Sequence, residues 1–332
     1  MAGKSGRTIS NTPDKSLKSR LLCWESMMIL LFILVNVLCI CISPTYNIRN
    51  VFREMPKYLI EMFLLFPMAY ILVLGDIDIS VGAIVCLSAT MASIATNNGV
   101  PFLVAAVIAI VVGMLCGLVN GCILTMFTEL PPMIVTLATQ IIFFGIAEIA
   151  LGSGGSISLT DTAGYKAISA KIGMVPVVFF VVIVFAVIFT VILSRTTFGR
   201  NVYAIGSNRV AAYYSGVPVQ RIRLLIFTAT GLMAGICALF LTSILYGANT
   251  TTGKGFEMDA IAMAVFGGIS TSGGKGRLLG GIISGFTIVC LRIGLGQINM
   301  HPQLILIILG ILLIAAVLVP NISMAFTKKK TA

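Results

Sequence analysis

Apolar runs of about twenty residues, separated by short polar breaks, recur from residue 22 to residue 319. A helix rises about 1.5 Å per residue, so each run is long enough to cross a hydrocarbon core of about 30 Å. In lipid every backbone N–H and C=O must be satisfied within the protein, which leaves helices as the way such runs can fold. Only 10% of residues are charged and 58% are hydrophobic; a soluble chain carries about a quarter charged residues. The sequence therefore predicts an all-α, polytopic integral membrane protein.

The breaks place spans at 22–42, 58–74, 81–97, 102–126, 132–151, 174–194, 224–246, 278–296 and 303–319. A shorter run, 258–270, is too short to cross and breaks at Gly267-Gly268-Ile269-Ser270-Thr271-Ser272-Gly273-Gly274-Lys275-Gly276. It predicts a broken or half-crossing helix, shielded from lipid by protein or water. The expected organisation is a polar tail (1–21), a transmembrane domain (22–319) of about ten helices, and a second tail (320–332) holding Lys328, Lys329 and Lys330. The 152–173 segment reads as a long exposed loop, rich in glycine and serine. Gly113, Gly117 and Gly121 on one span, and Gly231 and Gly235 on another, repeat at four-residue spacing. Such stripes let helix backbones approach closely in lipid.

About ten crossings bring both termini to one side. With the termini inside, fifteen Lys and Arg face inward and six (Arg49, Arg53, Lys57, Lys166, Lys171, Lys254) face outward. That is the imbalance expected of cytoplasmic loops. The net charge of +11 thus orients the chain in its bilayer and does not imply a nucleic-acid partner. The eight cysteines lack metal or redox spacing and read as small apolar residues. The N-terminus lacks the small-residue cleavage site of a secretory signal.

The most polar interruption runs from Arg195 to Arg223 and contains Arg195, Arg200, Arg209, Arg221 and Arg223 with no acid. A short helix fits inside it. Asn208 suits the N-cap, Ala211 and Ala212 suit a helix lying close against something, and Gly216 and Pro218 suit its end. Two readings stand: a loop by which a soluble partner moves the membrane domain, or a loop basic only because it is cytoplasmic.

Charge within the spans is sparse. Asp76 and Asp78 lie at the end of the second span, where ionised groups need water or donors, and Ser80 or Asp78 can cap the next helix. Glu61, Glu148 and Arg292 are the other intramembrane ionisable residues. Glu148 and Arg292 both approach the outer face, where they either pair or line an outer vestibule, or else snorkel to the headgroups. His301 is the one histidine, so no catalytic triad or histidine metal site is expected. No GxxxxGK[ST] phosphate loop occurs, so the chain is not expected to hydrolyse ATP, nor to be an enzyme. An ion-coupled carrier needs acids at mid-membrane, and the spans are nearly bare of them. The driving energy is expected from outside the chain.

Several blocks resemble, in order, the permease subunits of ATP-binding-cassette importers in the ribose, xylose and autoinducer-2 branch. Gly75-Asp76-Ile77-Asp78-Ile79-Ser80-Val81-Gly82 is similar to that family's G-G-I-D-L-S-V-G. Phe198-Gly199-Arg200-Asn201-Val202-Tyr203-Ala204-Ile205-Gly206-Ser207-Asn208 is similar to its F-G-R-x-x-Y-A-I-G-x-N. Ala211-Ala212, Ser215-Gly216-Val217, Glu257-Met258-Asp259-Ala260-Ile261-Ala262 and the late glycine block follow in register. The resemblance implies a ten-helix permease of a bacterial cytoplasmic (inner) membrane. Its partners would be an ATPase subunit that consumes ATP, a second identical or related permease copy, and an extracytoplasmic solute-binding protein. The cargo would be a monosaccharide. Arg200, Asn208, Arg209, Ala211, Ala212 and Gly216 would form the coupling contact with the ATPase, and Ala212→Glu would leave insertion intact but abolish uptake. Asp76 departs from the family glycine. The rival readings are an autoinducer-2 or branched-chain amino-acid permease of the same design, a self-contained secondary carrier, and a membrane enzyme or receptor.

Overall fold

The computed structural model describes residues 24–301 with 303–305, 307, 308, 310 and 311. The expected tails and most of the span at 303–319 lie outside the described residues.

Seven described helical segments are long and apolar enough to cross a bilayer. They are α1 (Trp24–Ile42), the continuous Pro56–Leu74 made of α3 (Pro56–Leu59) and α4 (Met62–Leu74), α6 (Phe102–Met126), α7 (Pro132–Leu151), α9 (Val177–Arg195), α12 (Val219–Leu245) and α14 (Leu278–Gln297). The short α2 (Ile48–Glu54) precedes α3, and the 17-residue α5 (Val81–Asn97) follows α4. Three of the expected spans, 81–97, 102–126 and 132–151, are matched at both ends.

Burial sorts these helices into an inner and an outer set. The Pro56–Leu74 segment is 89% buried within the protein, and every residue of α4 is buried. A helix apolar on all sides and enclosed on all sides belongs at the centre of a bundle. By contrast only 17% of α1, 22% of α9 and 28% of α6 is enclosed, so their remaining apolar surface faces lipid. That surface includes Leu30, Leu103 and Val187.

The tightest helix pair is α6 against α12, and the glycine stripes make it. A Cβ on Gly113 would collide with Gly231 O and sit 2.9 Å from Gly235 Cα. One on Gly117 would collide with Phe227 O. Reciprocally, Gly231 and Gly235 have room for no side chain against Gly113, Gly117 and Ala109. Lipid supplies no hydrophobic drive between helices, so this close backbone packing holds the pair together.

The expected half-crossing helix is α13 (Phe256–Phe266), 11 residues or about 16 Å long. The 152–173 segment is more ordered than a plain loop. It holds β1 (Ser156–Ser158), α8 (Ala163–Ile168), β2 (Lys171–Ile172) and the start of the β2–β3 ribbon, β3 being Val175–Pro176. β1 pairs antiparallel with β4 (Gly247–Asn249), Ile157 opposite Ala248. This pairing ties the α7–α9 connection to the α12–α13 connection at one end of the bundle.

At the opposite end, the arginine stretch is two helices where the sequence suggests one. α10 (Thr197–Ser207) is an amphipathic helix that buries Gly199, Val202 and Ile205. α11 (Arg209–Tyr214) is the expected short one. α12 already begins at Val219, so Arg221 and Arg223 belong to a membrane helix and not to the loop.

Candidate functional site

The α10–α11 elbow is built by local rules. Thr196 caps α10, its hydroxyl accepting from Gly199 N at 3.3 Å. Asn208 caps α11, its side-chain oxygen accepting from Ala211 N at 3.0 Å. Gly216, at φ +82, follows α11 in the left-handed conformation that glycine takes without strain. Asn208 and Gly216 thus occupy the positions that their residue types predict.

The elbow is fastened to the membrane body at several points. A Cβ on Gly206 would collide with Val73 O, so α10 lies directly on the end of α4. Gly274 N donates to the same carbonyl at 2.8 Å. Tyr203 Oη donates to Gly276 O at 2.6 Å, which joins α10 to the glycine-rich turn after α13. Burial raises the Tyr203 phenol, which keeps it a donor.

Two arginines converge on the turn between α4 and α5. Asp76 is only 2% exposed. Its Oδ1 accepts from Arg209 Nη2 and its Oδ2 from Arg223 Nε, each at 2.7 Å. Arg223 Nη1 also donates to Leu124 O near the end of α6, at 2.6 Å. The donors that sequence reasoning requires for Asp76 are therefore arginines of the elbow and of α12. Neither expected cap of α5 forms by a side-chain bond. Instead Asp78 Oδ1 accepts from Ser80 N at 2.8 Å and from Ser80 Oγ at 2.7 Å, closing a turn of its own. Asn120 Nδ2 donates to Ser80 Oγ at 2.7 Å.

The remaining candidates separate. Ala212 is buried against the body at 5% exposure. The outward face of α11 is Ala211 with Val210, Tyr213 and Tyr214, the last of these 83% exposed. Sequence reasoning passed over these tyrosines. Arg200 is exposed and lines a groove of about 850 Å³ with Trp24, Tyr203, Lys275 and Arg277.

The expected Glu148–Arg292 pair does not form. Arg292 turns inward, where Nη1 donates to both Glu61 carboxylate oxygens at 2.8 Å and Nη2 donates to Asp259. Glu148 lies on an exposed face of α7, next to Ile149. The cation is claimed by two nearer acids, one of which, Asp259, lies on the half-crossing helix. Nearby on α13, Glu257 accepts from Gln140 Nε2 at 3.4 Å. The Glu257 Oε2, Asp78 Oδ2 and Asn120 Oδ1 atoms are buried without a hydrogen-bond partner among the described residues.

A mostly helical bundle with seven candidate spans, a half-length helix and a basic elbow at one end is the architecture of a multi-pass membrane protein. The family model described as branched-chain amino acid transport system / permease component matches residues 60–317, and the chain belongs to that family. It is 34% identical over 293 residues to the ribose import permease protein RbsC of Bacillus subtilis (strain 168), covering 87% of this chain and 89% of that one. It is 36% identical over 296 residues to the D-allose transport system permease protein AlsC of Escherichia coli (strain K12), covering 86% and 89%. With the autoinducer 2 import system permease protein LsrD of Yersinia enterocolitica it shares 33% identity over 265 residues, covering 78% and 79%. These findings bear out the resemblance read from the motif blocks. No solved structure matches.

Proposed function

We infer that the chain is the transmembrane subunit of an ATP-binding-cassette importer that carries a monosaccharide of the ribose or allose kind. The observation that carries this reading is the near full-length similarity to ribose and allose permeases. In this reading about ten helices cross a bacterial inner membrane, with the elbow on the cytoplasmic side as its arginines favour. Two permease copies, identical or related, sit on two ATPase subunits, and a solute-binding protein delivers sugar to the far end. ATP binding and hydrolysis in the partner shift the bundle between outward- and inward-open arrangements.

The elbow is the coupling contact. Arg200, Asn208, Arg209, Ala211, Ala212 and Gly216 build it, and Val210, Tyr213 and Tyr214 offer the apolar and aromatic surface that docking favours. Because Ala212 faces the body, Ala211→Glu is a cleaner probe of docking than Ala212→Glu. Near the outer end, Glu148 lies at the surface of the mouth and Arg292 stiffens the wall. The unpartnered oxygens of Asp78 and Glu257 suit a hydroxyl-rich cargo, since carboxylates accept strongly from hydroxyl groups.

The test is growth on single carbon sources. Cells lacking their own pentose and hexose importers receive this permease with its ATPase and binding protein. Growth on ribose or allose supports the reading. Uptake of leucine or of autoinducer-2 alone moves the chain to the neighbouring branch.

A further inference from the structure

The geometry points to Asp76 as a positioning residue that couples the cytoplasmic elbow to the α4–α5 turn of the membrane domain. This rests on the coupling role proposed for the elbow.

Asp76 holds two arginines of different character. Arg223 is buried along its side chain, at 4% exposure, and is held by both Asp76 and the Leu124 carbonyl. Arg209 has 39% of its side chain exposed, and among the described residues its ion-pair partner is Asp76. The Asp76–Arg223 bond is therefore the fixed half, because separation would strand two charges away from water. The Asp76–Arg209 bond is the half that works, because Arg209 can rehydrate when it lets go.

The location gives this bond leverage. Arg209 is the first residue of α11, so moving α11 pulls on Arg209 directly. Asp76 stands one residue after Gly75, whose φ of +85 closes α4, and two before Asp78, which organises the start of α5. α4 is the fully enclosed central helix, and α5 follows it across the turn that holds Asp76. One ion pair thus spans from the element offered to the ATPase to the hinge between two inner helices. Glycine at this position, as in the G-G-I-D-L-S-V-G pattern, would leave the elbow without this link. In this chain the link adds a strut that pulls the hinge along with the elbow.

The test is a double-mutant cycle in the assembled transporter in proteoliposomes, with ATPase and binding protein, reading sugar imported per ATP hydrolysed. Arg209→Gln and Asp76→Asn should each lower that ratio about tenfold, within the range of site-to-site coupling. The double variant should fall no further than Asp76→Asn alone, because that change already cuts the Arg209 bond along with the Arg223 bond. Additive losses, or a loss in Arg209→Gln with none in Asp76→Asn, would put Arg209 to work on the ATPase surface and overturn the proposal. If Asp76→Asn fails to assemble, Arg209→Lys decides. Retention of the ratio with lysine supports the ion pair, and a loss equal to that of glutamine overturns it. A wild-type assembly that imports nothing with ATP would instead reject the underlying function.

Discussion

The two buried arginines among the described residues, Arg223 and Arg292, are paired with acids distant in sequence, and each pair depends on a partner that carries no local signal. Arg292 lies between Glu61 and Asp259, 231 and 33 residues away. Removing one partner of a buried ion pair costs about 3–5 kcal/mol because the other charge is left stranded. Arg292→Ala therefore leaves two acids facing each other and should lower the thermal unfolding temperature of the detergent-solubilised protein sharply. Glu148→Ala, on an exposed face, should change stability by no more than about 0.5 kcal/mol. Equal shifts in the two would restore the Glu148–Arg292 pair and reject the observed one. Glu257→Gln tests cargo contact: it should raise the KM for sugar uptake while leaving the purified protein as stable as wild type. An unchanged KM would assign Glu257 to packing alone. Positions such as Asp76 were legible as charges that need donors. Which donors was not legible, since Arg209 and Arg223 reach the turn only through tertiary packing.

At the scale of elements, the sequence was most informative where lipid imposes the rule. Span length follows from bilayer thickness, so 81–97, 102–126 and 132–151 were readable to the residue. The glycine stripes predicted close packing, and they meet each other across α6 and α12. Gly117→Leu should therefore push these helices apart and abolish a monodisperse folded peak in size-exclusion chromatography. Gly145→Ala, with open space around it, should behave as wild type. α10 escaped notice for a physical reason. Its polar face and two glycines disguised an apolar stripe at Phe198, Val202 and Ile205, whose spacing of four and three residues is the missed signal. On α11, Tyr214→Ala should weaken ATPase binding by at least about tenfold if the aromatic face is a docking hot spot. Co-purification with the ATPase at graded salt and detergent checks this, and undiminished capture would move docking away from α11.

At the scale of the whole molecule, the chain is a membrane bundle of the permease family. It carries an enclosed central helix, a half-length helix braced by Arg292, and a basic elbow bonded to Asp76 in the α4–α5 turn. Its family supplies the class, and the relatives that import ribose and allose suggest the cargo. The measurement that bears most directly on this account is sugar accumulation in proteoliposomes, with and without the ATPase and binding protein. The account predicts that the permease alone accumulates nothing under a proton or sodium gradient, and that the full assembly concentrates ribose or allose only when ATP is hydrolysed. Gradient-driven accumulation by the permease alone would contradict it.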